Sequence, residues 1–317
     1  LSLVGSEMCI RDRIYRKMVA PSFTPKAIRG LEEDMRLKIR ELLENVEGKS
    51  EFNFVTEIAE QLPLWVLCEM MGIPESDRSK IRDLVNNLTD ASIQQDPNNS
   101  FQIWVNYMEL FKMGRDMIEE RRKKPTDDLM SVVANTKVEG GDLPPELLDG
   151  FFLLMVIAGN ETTRNTLTGG LMALTENPSE REKLLKDPSL IANATDEMLR
   201  WVTSVIYFRR TATKDTNIRG QDIKAGDKII MWYGSANRDE DIFIDGHLFK
   251  VDRQNAKKHL AFGAGEHLCL GNRLGHMQIR ILFEELLKRF PNIHSVAEPV
   301  RIPSNFLAGI SELKVSI

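Results

Sequence analysis

The stretch Phe262-Gly-Ala-Gly-Glu-His-Leu-Cys-Leu-Gly271 decides how the rest of this sequence is interpreted. Its glycines allow the backbone to fold tightly against a flat ligand. Cys269 stands just before a predicted helix, where backbone N–H groups and the helix dipole favour a thiolate over a thiol. A thiolate held in this way is a ligand for haem iron. The alternative is a structural cysteine in a glycine-rich turn.

Two other kinds of site fit this stretch less well. A dinucleotide-binding G-x-G-x-x-G motif needs its third glycine where Leu268 stands. Zinc needs a closed tetrahedral ligand set, and Cys269, His267 and His259 alone do not make one.

A long helix is predicted upstream of the cysteine, from about Pro144 to Glu176, with Asp142 as its N-cap. Its middle is apolar on every side, so we expect it to cross the centre of the molecule. A carboxylate there, Glu161, costs on the order of several kcal/mol unless it is paired or functional. We expect Gly159 to let a ligand approach the backbone, and the Thr162 hydroxyl to bond back to the carbonyl four residues earlier.

The remaining pattern predicts a mainly α protein with small β-sheets. Apolar spacings of three and four residues predict helices before the central one, and β-rich segments follow it until a last helix. The predicted helices cover residues 25–47, 56–71, 75–93, 99–124, 126–137 and 270–289, and the predicted strands cover 205–213, 221–223 and 227–233.

Composition limits the class of protein further. The chain has 317 residues, with 42 basic and 47 acidic side chains, and this net charge of -5 argues against a nucleic-acid partner. Its three cysteines are too few for a disulfide scaffold, which favours a reducing cytoplasm. No apolar run approaches the roughly 18 residues of a membrane span.

The ends of the chain differ in character. Residues 1–13 follow neither a helical nor a strand period, and we expect them to be a tail foreign to the fold. The alternative is a frayed native tail. Residues 14–317 are then expected to form a single domain that lacks its N-terminal elements.

These features make the sequence resemble the cytochrome P450 family, whose haem signature is Phe-Gly-x-Gly-x-His-x-Cys-x-Gly. The resemblance implies the cytochrome P450 fold, haem b as cofactor and Cys269 as the iron ligand. The six residues that match every fixed position are Phe262, Gly263, Gly265, His267, Cys269 and Gly271.

The resemblance also assigns roles elsewhere. Ala158-Gly159-Asn-Glu161-Thr162 matches the family's Ala-Gly-x-(Asp/Glu)-Thr motif, which implies that Glu161 and Thr162 deliver protons during oxygen activation. Glu197 and Arg200 match the Glu-x-x-Arg pair, which Arg253 completes to hold the cysteine loop in shape. The candidates for binding the haem carboxylates are Arg16, Arg210, His259 and His267.

The implied activity is monooxygenation, in which one atom of O₂ enters a C–H bond of a hydrophobic substrate. Electrons are expected from a ferredoxin and its NAD(P)H-fed reductase, in a bacterial cytoplasm. Two alternatives stay open: a haem-thiolate protein without turnover, such as a sensor or an inactive fragment, and a peroxide-using haem enzyme.

Within the family, the sequence is most similar to actinobacterial hydroxylases of sterol side chains and methyl-branched lipids. It departs at Ser204 and Gly246, where proline is expected, and at Gly275 and His276, where Ala-Arg is usual. A sterol side chain, a branched lipid or a terpenoid is therefore the expected substrate. The residues expected to face it are Met155, Ala158, Val205, Ile206 and Phe306.

Overall fold

The computed structural model of the chain describes residues 15–89, 96–138 and 141–317. The predicted foreign tail, residues 1–13, lies outside the described residues, as does the predicted helix end at 90–93. Residues 15–19 are helical. The helices that follow are α1 (Pro25–Gly30), α2 (Glu32–Glu44), α3 (Gln61–Met71), α4 (Glu75–Thr89), α5 (Ser100–Lys123), α6 (Leu129–Asn135), α7 (Pro145–Glu176), α8 (Pro178–Lys186), α9 (Ile191–Val202), α10 (Tyr233–Ala236) and α11 (Asn272–Arg289).

The sheets are small, as the sequence predicts, and every pairing between the described strands is antiparallel. The strands are β1 (Glu51–Asn53), β2 (Lys137–Val138), β3 (Gly141–Asp142), β4 (Tyr207–Thr211), β5 (Thr216–Ile218), β6 (Gln221–Ile223), β7 (Lys228–Trp232), β8 (His294–Ser295), β9 (Val300–Arg301), β10 (Ile310–Glu312) and β11 (Lys314–Ser316). One sheet has the order β1-β11-β8, and the other four are the two-stranded pairs β4-β7, β5-β6, β2-β3 and β10-β9.

The 32-residue helix α7 is the centre of the fold. At 1.5 Å per residue it is about 48 Å long. It packs against α3, α5, α9 and α11, which confirms the expectation of a central helix. The predicted N-cap was wrong, because Asp142 pairs with Lys137 in the β2-β3 hairpin and Pro144 occupies the N-cap position.

Other helix boundaries also differ from the predicted ones. The helix expected over 56–71 begins as a π-helix, Val55–Ala59, and continues as α3 from Gln61. The helix expected over 25–47 is divided, because α1 ends at Gly30 and α2 begins at Glu32. The helix expected from residue 126 begins at Leu129, because the Asp128 carboxylate accepts a hydrogen bond from the Ser131 N–H at 2.6 Å and caps it.

A single hydrophobic core runs from Val19 to Val315 and fixes α11, the helix that follows the cysteine loop. Charged contacts with α2 on the outer side of α11 add to this packing. Arg36 donates to Glu284 at 2.6 Å and to Glu285 at 3.1 Å. The body of α11, the helix that follows the cysteine loop, is therefore held between the central helix and α2.

Candidate active site

One face of α7 is open in its middle. Leu154, Ala158 and Thr162 follow one another at four-residue spacing, and therefore share a face. Leu154 is 61% exposed although it lies in the central helix. The Thr162 hydroxyl donates to the Ala158 carbonyl at 3.0 Å, as predicted. Met155, expected to face the substrate, is partly buried and packs against the core, and its contact with a substrate stays a prediction. The i, i+4 spacing from Ala158 would have identified Leu154.

Gly159 serves helix packing in this structure. A Cβ at this position would lie 3.4 Å from Cδ1 of Leu67, so the glycine lets α3 approach the central helix closely. The expectation that it also borders a ligand stays a prediction.

Glu161 is buried and forms an ion pair with Arg164, one helical turn further along. The two residues are 2% and 8% exposed, so the expected burial of Glu161 is confirmed, and Arg164 is the partner that its burial requires. Removing one partner of a buried pair costs about 3–5 kcal/mol.

The cysteine loop has the conformation that its glycines permit. Gly263 and Gly265 both have φ of 70°, a region that other residues rarely adopt. The Cys269 N–H donates to the Phe262 carbonyl at 2.9 Å and closes the loop. Gly271 has an ordinary φ of −84°, and a Cβ there would meet nothing within 4 Å. Open space therefore lies beside Cys269, where a large flat group could approach.

Two opposing effects act on the Cys269 thiol. Burial raises its pKa above the ordinary value, while the hydrogen bond from the Gly271 N–H and the charge of Arg16 lower the pKa by less. The N–H group at the helix start therefore favours the thiolate as expected, and burial opposes it. A coordinated metal ion deprotonates a thiol, so the effect of burial does not exclude the ligand role. Arg16 lies where its charge acts on this sulfur.

The Glu197–Arg200–Arg253 network is present and buried. Arg200 binds both carboxylate oxygens of Glu197 at 2.7 Å, and Arg253 Nε is 3.0 Å from Oε2. The side chains of Glu197 and Arg200 are fully buried, and that of Arg253 is 5% exposed. Two guanidinium groups thus face one carboxylate. Backbone carbonyls balance the charge of Arg253, which also donates to the carbonyl of Ile244 at 2.6 Å.

Asn237 connects this network to the cysteine loop, a role that the sequence analysis missed. Arg200 donates to the Asn237 carbonyl at 2.7 Å, and the Asn237 side-chain oxygen accepts from the Leu260 N–H at 2.6 Å. The Leu260 carbonyl in turn accepts from the Gly263 N–H at 2.8 Å. Asn237 is fully buried. The resemblance included this residue, but nothing in its spacing indicated a bridging role.

The cysteine loop and the central helix meet at Gly275. A Cβ there would lie 3.8 Å from the Phe262 ring and 3.9 Å from the Thr163 hydroxyl oxygen. The structure therefore brings the loop that carries Cys269 next to the helical turn that carries Glu161 and Thr162.

The histidines and Arg210 occupy different surroundings. His259 Nδ1 accepts from the Ala261 N–H at 3.2 Å, and its Nε2 lies 3.6 Å from Asp196. His276, which stands where the family usually has arginine, has its Nε2 3.3 Å from the same carboxylate. Arg210 lies with its guanidinium carbon 5.9 Å from the centre of the Phe208 ring. His267 is exposed within the loop.

Asp196 is held in its charged form by these two imidazoles. Burial raises the pKa of its carboxyl, but the hydrogen bonds and charges of His259 and His276 outweigh burial and keep the pKa well below its usual range. The cluster borders a cavity of about 520 Å³ against Phe262 and Leu268 of the cysteine loop. The basic residues around this cavity are Arg29, Lys257, Arg273 and Arg280.

A cluster of aromatic side chains, which we call the aromatic wall, consists of Tyr207, Phe208, Trp232, Tyr233 and Phe306. Its rings contact one another with centroids 5.1–6.0 Å apart. Phe306 was predicted to face the substrate, as were Val205 and Ile206, which adjoin the wall. Val205 pairs with Leu307, and the Ile206 N–H donates to the Phe306 carbonyl at 2.9 Å. The other four members were not predicted to face a substrate, and they are Tyr207, Phe208, Trp232 and Tyr233. Trp232 and Phe208 are 53% and 42% exposed.

The residues present fit a haem group. A half-buried cysteine stands beside open space, the central helix has an open face, and the charge of Arg16 acts on the cysteine sulfur. Across residues 15–89, 96–138 and 141–317, no group of three His, Cys, Asp or Glu side chains forms a metal site. No helix in the same ranges combines the length and the hydrophobicity needed to cross a membrane.

Comparisons with known proteins agree with this geometry. A model of the cytochrome P450 family matches residues 185–315. The steroid C26-monooxygenase of Rhodococcus jostii is 36% identical over 95% of this chain and 63% of its own length. The methyl-branched lipid omega-hydroxylase of Mycobacterium bovis is 36% identical over 96% of this chain and 72% of its own length. The structure of cytochrome P450 CYP268A2 of Mycobacterium marinum in complex with pseudoionone is 35% identical, with a TM-score of 0.90 over 95% of this chain and 74% of that one.

The central helix, the cysteine loop and the buried Glu197 network define a haem-thiolate fold. With the similarity to these relatives, this chain belongs to the cytochrome P450 family. The family binds haem b and uses O₂ as co-substrate, and the two relatives above are a monooxygenase and a hydroxylase. The chain spans less than two thirds of the length of the Rhodococcus protein.

Proposed function

We propose that this chain is a haem-thiolate monooxygenase that inserts one oxygen atom of O₂ into a C–H bond of a hydrophobic substrate. The observation that carries the proposal is the approach of the cysteine loop to the central helix at Gly275, beside the Glu161–Thr162 turn. When bound, haem supplies the oxygen-splitting chemistry, and the protein supplies positions and protons.

Cys269 is the proposed iron ligand, with Gly271 leaving room beside it. Phe262, Gly263 and Gly265 shape the loop, and the Glu197 network holds the loop from behind through Asn237. The haem carboxylates are assigned to Arg16, Arg210, His259 and His267. His259 needs to turn one ring nitrogen away from its present partners to take this role, because both nitrogens face groups of the protein.

Thr162 and Glu161 are the proposed proton donors, with Ala158 and Gly159 at the edge of the cofactor. The Thr162 hydroxyl donates to the Ala158 carbonyl, and it gives its proton to a group on the open face of α7 after turning from that carbonyl. Glu161 replaces that proton after its carboxylate turns from Arg164 and takes one up from solvent. Between turnovers, Arg164 holds the Glu161 carboxylate in place.

The substrate class follows from the aromatic wall and Leu154. These exposed apolar side chains offer no charge to a substrate, so they favour an alkyl or terpenoid group. Relatives named for steroids and methyl-branched lipids agree with this choice. We propose a sterol side chain, a branched lipid or a terpenoid as substrate.

A ferredoxin, reduced by an NAD(P)H-fed reductase, is the proposed electron donor, in the cytoplasm of a bacterium. The cavity beside Phe262 supports this choice, because Arg29, Lys257 and Arg273 line it, whereas the charge of Arg280 is balanced by Glu32 and Glu284. A basic surface attracts an acidic redox protein and speeds its association.

The proposed function is tested by measuring coupling, which is the amount of hydroxylated product formed per electron supplied. The haem-loaded chain is supplied with a ferredoxin and its reductase, and sterols, branched alkanes and terpenoids are screened for a low-to-high-spin shift. Product per electron is then measured for the best ligand in the parent and in Thr162→Ala. We expect hydroxylated product from the parent, and most electrons diverted from product in Thr162→Ala, because the proton at Oγ1 is lost.

A matched control is Thr168→Val, which removes a buried hydroxyl of α7 that bonds only to the Arg164 carbonyl, at 2.9 Å. We expect it to keep the coupling of the parent. Full haem loading without any product would instead support a haem-binding protein without turnover. Equal coupling in Thr162→Ala and the parent would show that the proton assignment is wrong.

A further inference from the structure

Ser204 connects two parts of the site that are distant in sequence. It follows Thr203, whose φ of 47° turns the chain sharply at the end of α9. This turn directs the Ser204 side chain at the central helix. Its Oγ lies 2.9 Å from the Thr162 carbonyl oxygen and 2.7 Å from the Thr166 hydroxyl. Ser204 is 7% and Thr166 3% exposed, so water does not compete for these bonds.

The number of protons limits how these groups bond. The Thr166 hydroxyl is also 2.8 Å from the Thr162 carbonyl oxygen. Each hydroxyl has one proton, so either Ser204 donates to Thr162 and Thr166 donates to Ser204, or Thr166 donates to Thr162 and Ser204 donates to Thr166. In both arrangements Ser204 is bonded to the central helix at the turn that begins with Thr162.

The backbone of Ser204 is fixed from the opposite side. Its carbonyl accepts from the Ala308 N–H at 2.9 Å, in the segment that also carries Phe306. The preceding hydroxyl, of Thr203, accepts from the Asn237 side chain at 2.8 Å, which links the segment to the support of the cysteine loop. Ser204 therefore lies between the central helix, the aromatic wall and the Glu197 network.

We propose that Ser204 is a positioning residue for Thr162, which it holds by a hydrogen-bonded link between the aromatic wall and the central helix. This inference rests on the proposed function, since it assumes that the position of the Thr162 hydroxyl matters for proton delivery. A proline, the residue that the family resemblance leads one to expect at 204, has no hydroxyl and cannot form this link. The link is thus a property of this chain's own serine.

Three variants distinguish the effect of losing this link from the effect of losing a hydroxyl group elsewhere. Ser204→Ala removes the hydroxyl that bonds to the central helix from this segment. Thr166→Val leaves the Ser204 hydroxyl free to donate to the Thr162 carbonyl, so the link survives. Thr168→Val is the matched control, because its hydroxyl bonds within the same helix only.

The first measurement is amide hydrogen exchange of peptides covering residues 158–166 in the haem-loaded chain, followed by mass spectrometry. In Ser204→Ala we expect exchange about fivefold faster than in the parent, which corresponds to the loss of one hydrogen bond of about 1 kcal/mol. Thr166→Val and Thr168→Val are expected to stay within about twofold of the parent, since that is the scatter of such contributions. Unchanged exchange in Ser204→Ala, or equal acceleration in all three variants, would overturn the proposal.

The second measurement is product per electron with the ligand found in the screen. We expect Ser204→Ala to lose part of the coupling that Thr162→Ala loses, and Thr166→Val to keep the parent value. If Thr162→Ala uncouples and Ser204→Ala does not, the positioning role is wrong while the proposed function stands. If Thr162→Ala does not uncouple, the proton assignment fails, and the exchange data alone decide whether the link exists.

Discussion

Glu197 binds two guanidinium groups and a backbone amide, and this explains why the Glu-x-x-Arg spacing is informative at one position and not at others. Its carboxylate accepts from Arg200, from Arg253 and from the Lys250 N–H at 2.9 Å. The same spacing at Glu33 and Arg36 produces no such pair, because Arg36 binds Glu32 on its own helix and two glutamates of α11.

Glu197→Gln tests the importance of this carboxylate for the fold. The variant leaves two buried guanidinium groups without a counter-charge, and the free energy of unfolding should fall by about 3–5 kcal/mol. Urea titration followed by circular dichroism measures this change. Glu41→Gln removes an exposed partner of Lys38 and should unfold at the parent's urea concentration. A Glu197→Gln midpoint equal to that of the parent would contradict the role.

Single residues show what can and cannot be predicted from the sequence. The contact of Arg253 with Glu197 and the Thr162 hydroxyl bond were predicted, because a matched motif or a four-residue spacing specifies them. The role of Cys269 as iron ligand stays a prediction. The pairing of Glu161 with Arg164, and the bridging by Asn237, were not predicted. The choice of partner depends on which way each side chain turns in the packed core, and a bridge depends on contacts between segments distant in the chain.

At the scale of elements, caps decide where helices begin, as α6 shows. Asp128 caps this helix and also accepts from Arg121 Nε at 2.6 Å and from the Thr126 hydroxyl at 2.6 Å. Burial raises the pKa of Asp128, but the bonds from Thr126, the Ser131 N–H and Arg121 outweigh burial and lower the pKa below its ordinary value. The carboxylate therefore stabilises the folded state.

The pH dependence of Asp128→Asn follows from this lowered pKa. Asparagine keeps the cap and loses the charge, so the variant should be less stable by about 2 kcal/mol at pH 7. Because the pKa of the Asp128 carboxyl is lowered in the folded state, the carboxylate stabilises the fold above the ordinary pKa of about 3.9. This stabilisation is lost as the pH falls through the lowered pKa. The difference between parent and variant should be constant from pH 7 to pH 5 and shrink below pH 4.

Thermal unfolding at a series of pH values, followed by circular dichroism, measures this difference. Asp127→Asn, at the exposed neighbouring position, is the control and should follow the parent. A difference that grows as the pH falls would show that the sign assigned to Asp128 is wrong.

The elements that periodicity specifies were predicted well. The central helix ends at Glu176 as expected, and β4 and β7 lie within the predicted strands. The pattern did not reveal that Asp142 belongs to a hairpin, because a two-residue strand has no measurable period. The break between α1 and α2 was missed for a similar reason, since the apolar spacing continues across Leu31.

At the scale of the whole molecule, three segments far apart in the chain converge on one place. The central helix brings Glu161 and Thr162, the loop before α11 brings Cys269, and the segment after α9 brings Ser204 and the aromatic wall. Their meeting is enforced by one continuous core and by the buried Glu197 network. The sequence motifs identify the participants, but the hydrogen bonds among them come from the folded chain.

The central claim is that Cys269 ligates the haem iron, and the CO difference spectrum of the reduced, haem-loaded chain tests it most directly. The parent and Cys68→Ala, which changes a fully buried cysteine of α3, should both give the thiolate-type maximum. Cys269→Ser should lose it. An imidazole-type maximum in the parent, or a Cys269→Ser spectrum indistinguishable from that of the parent, would contradict the account.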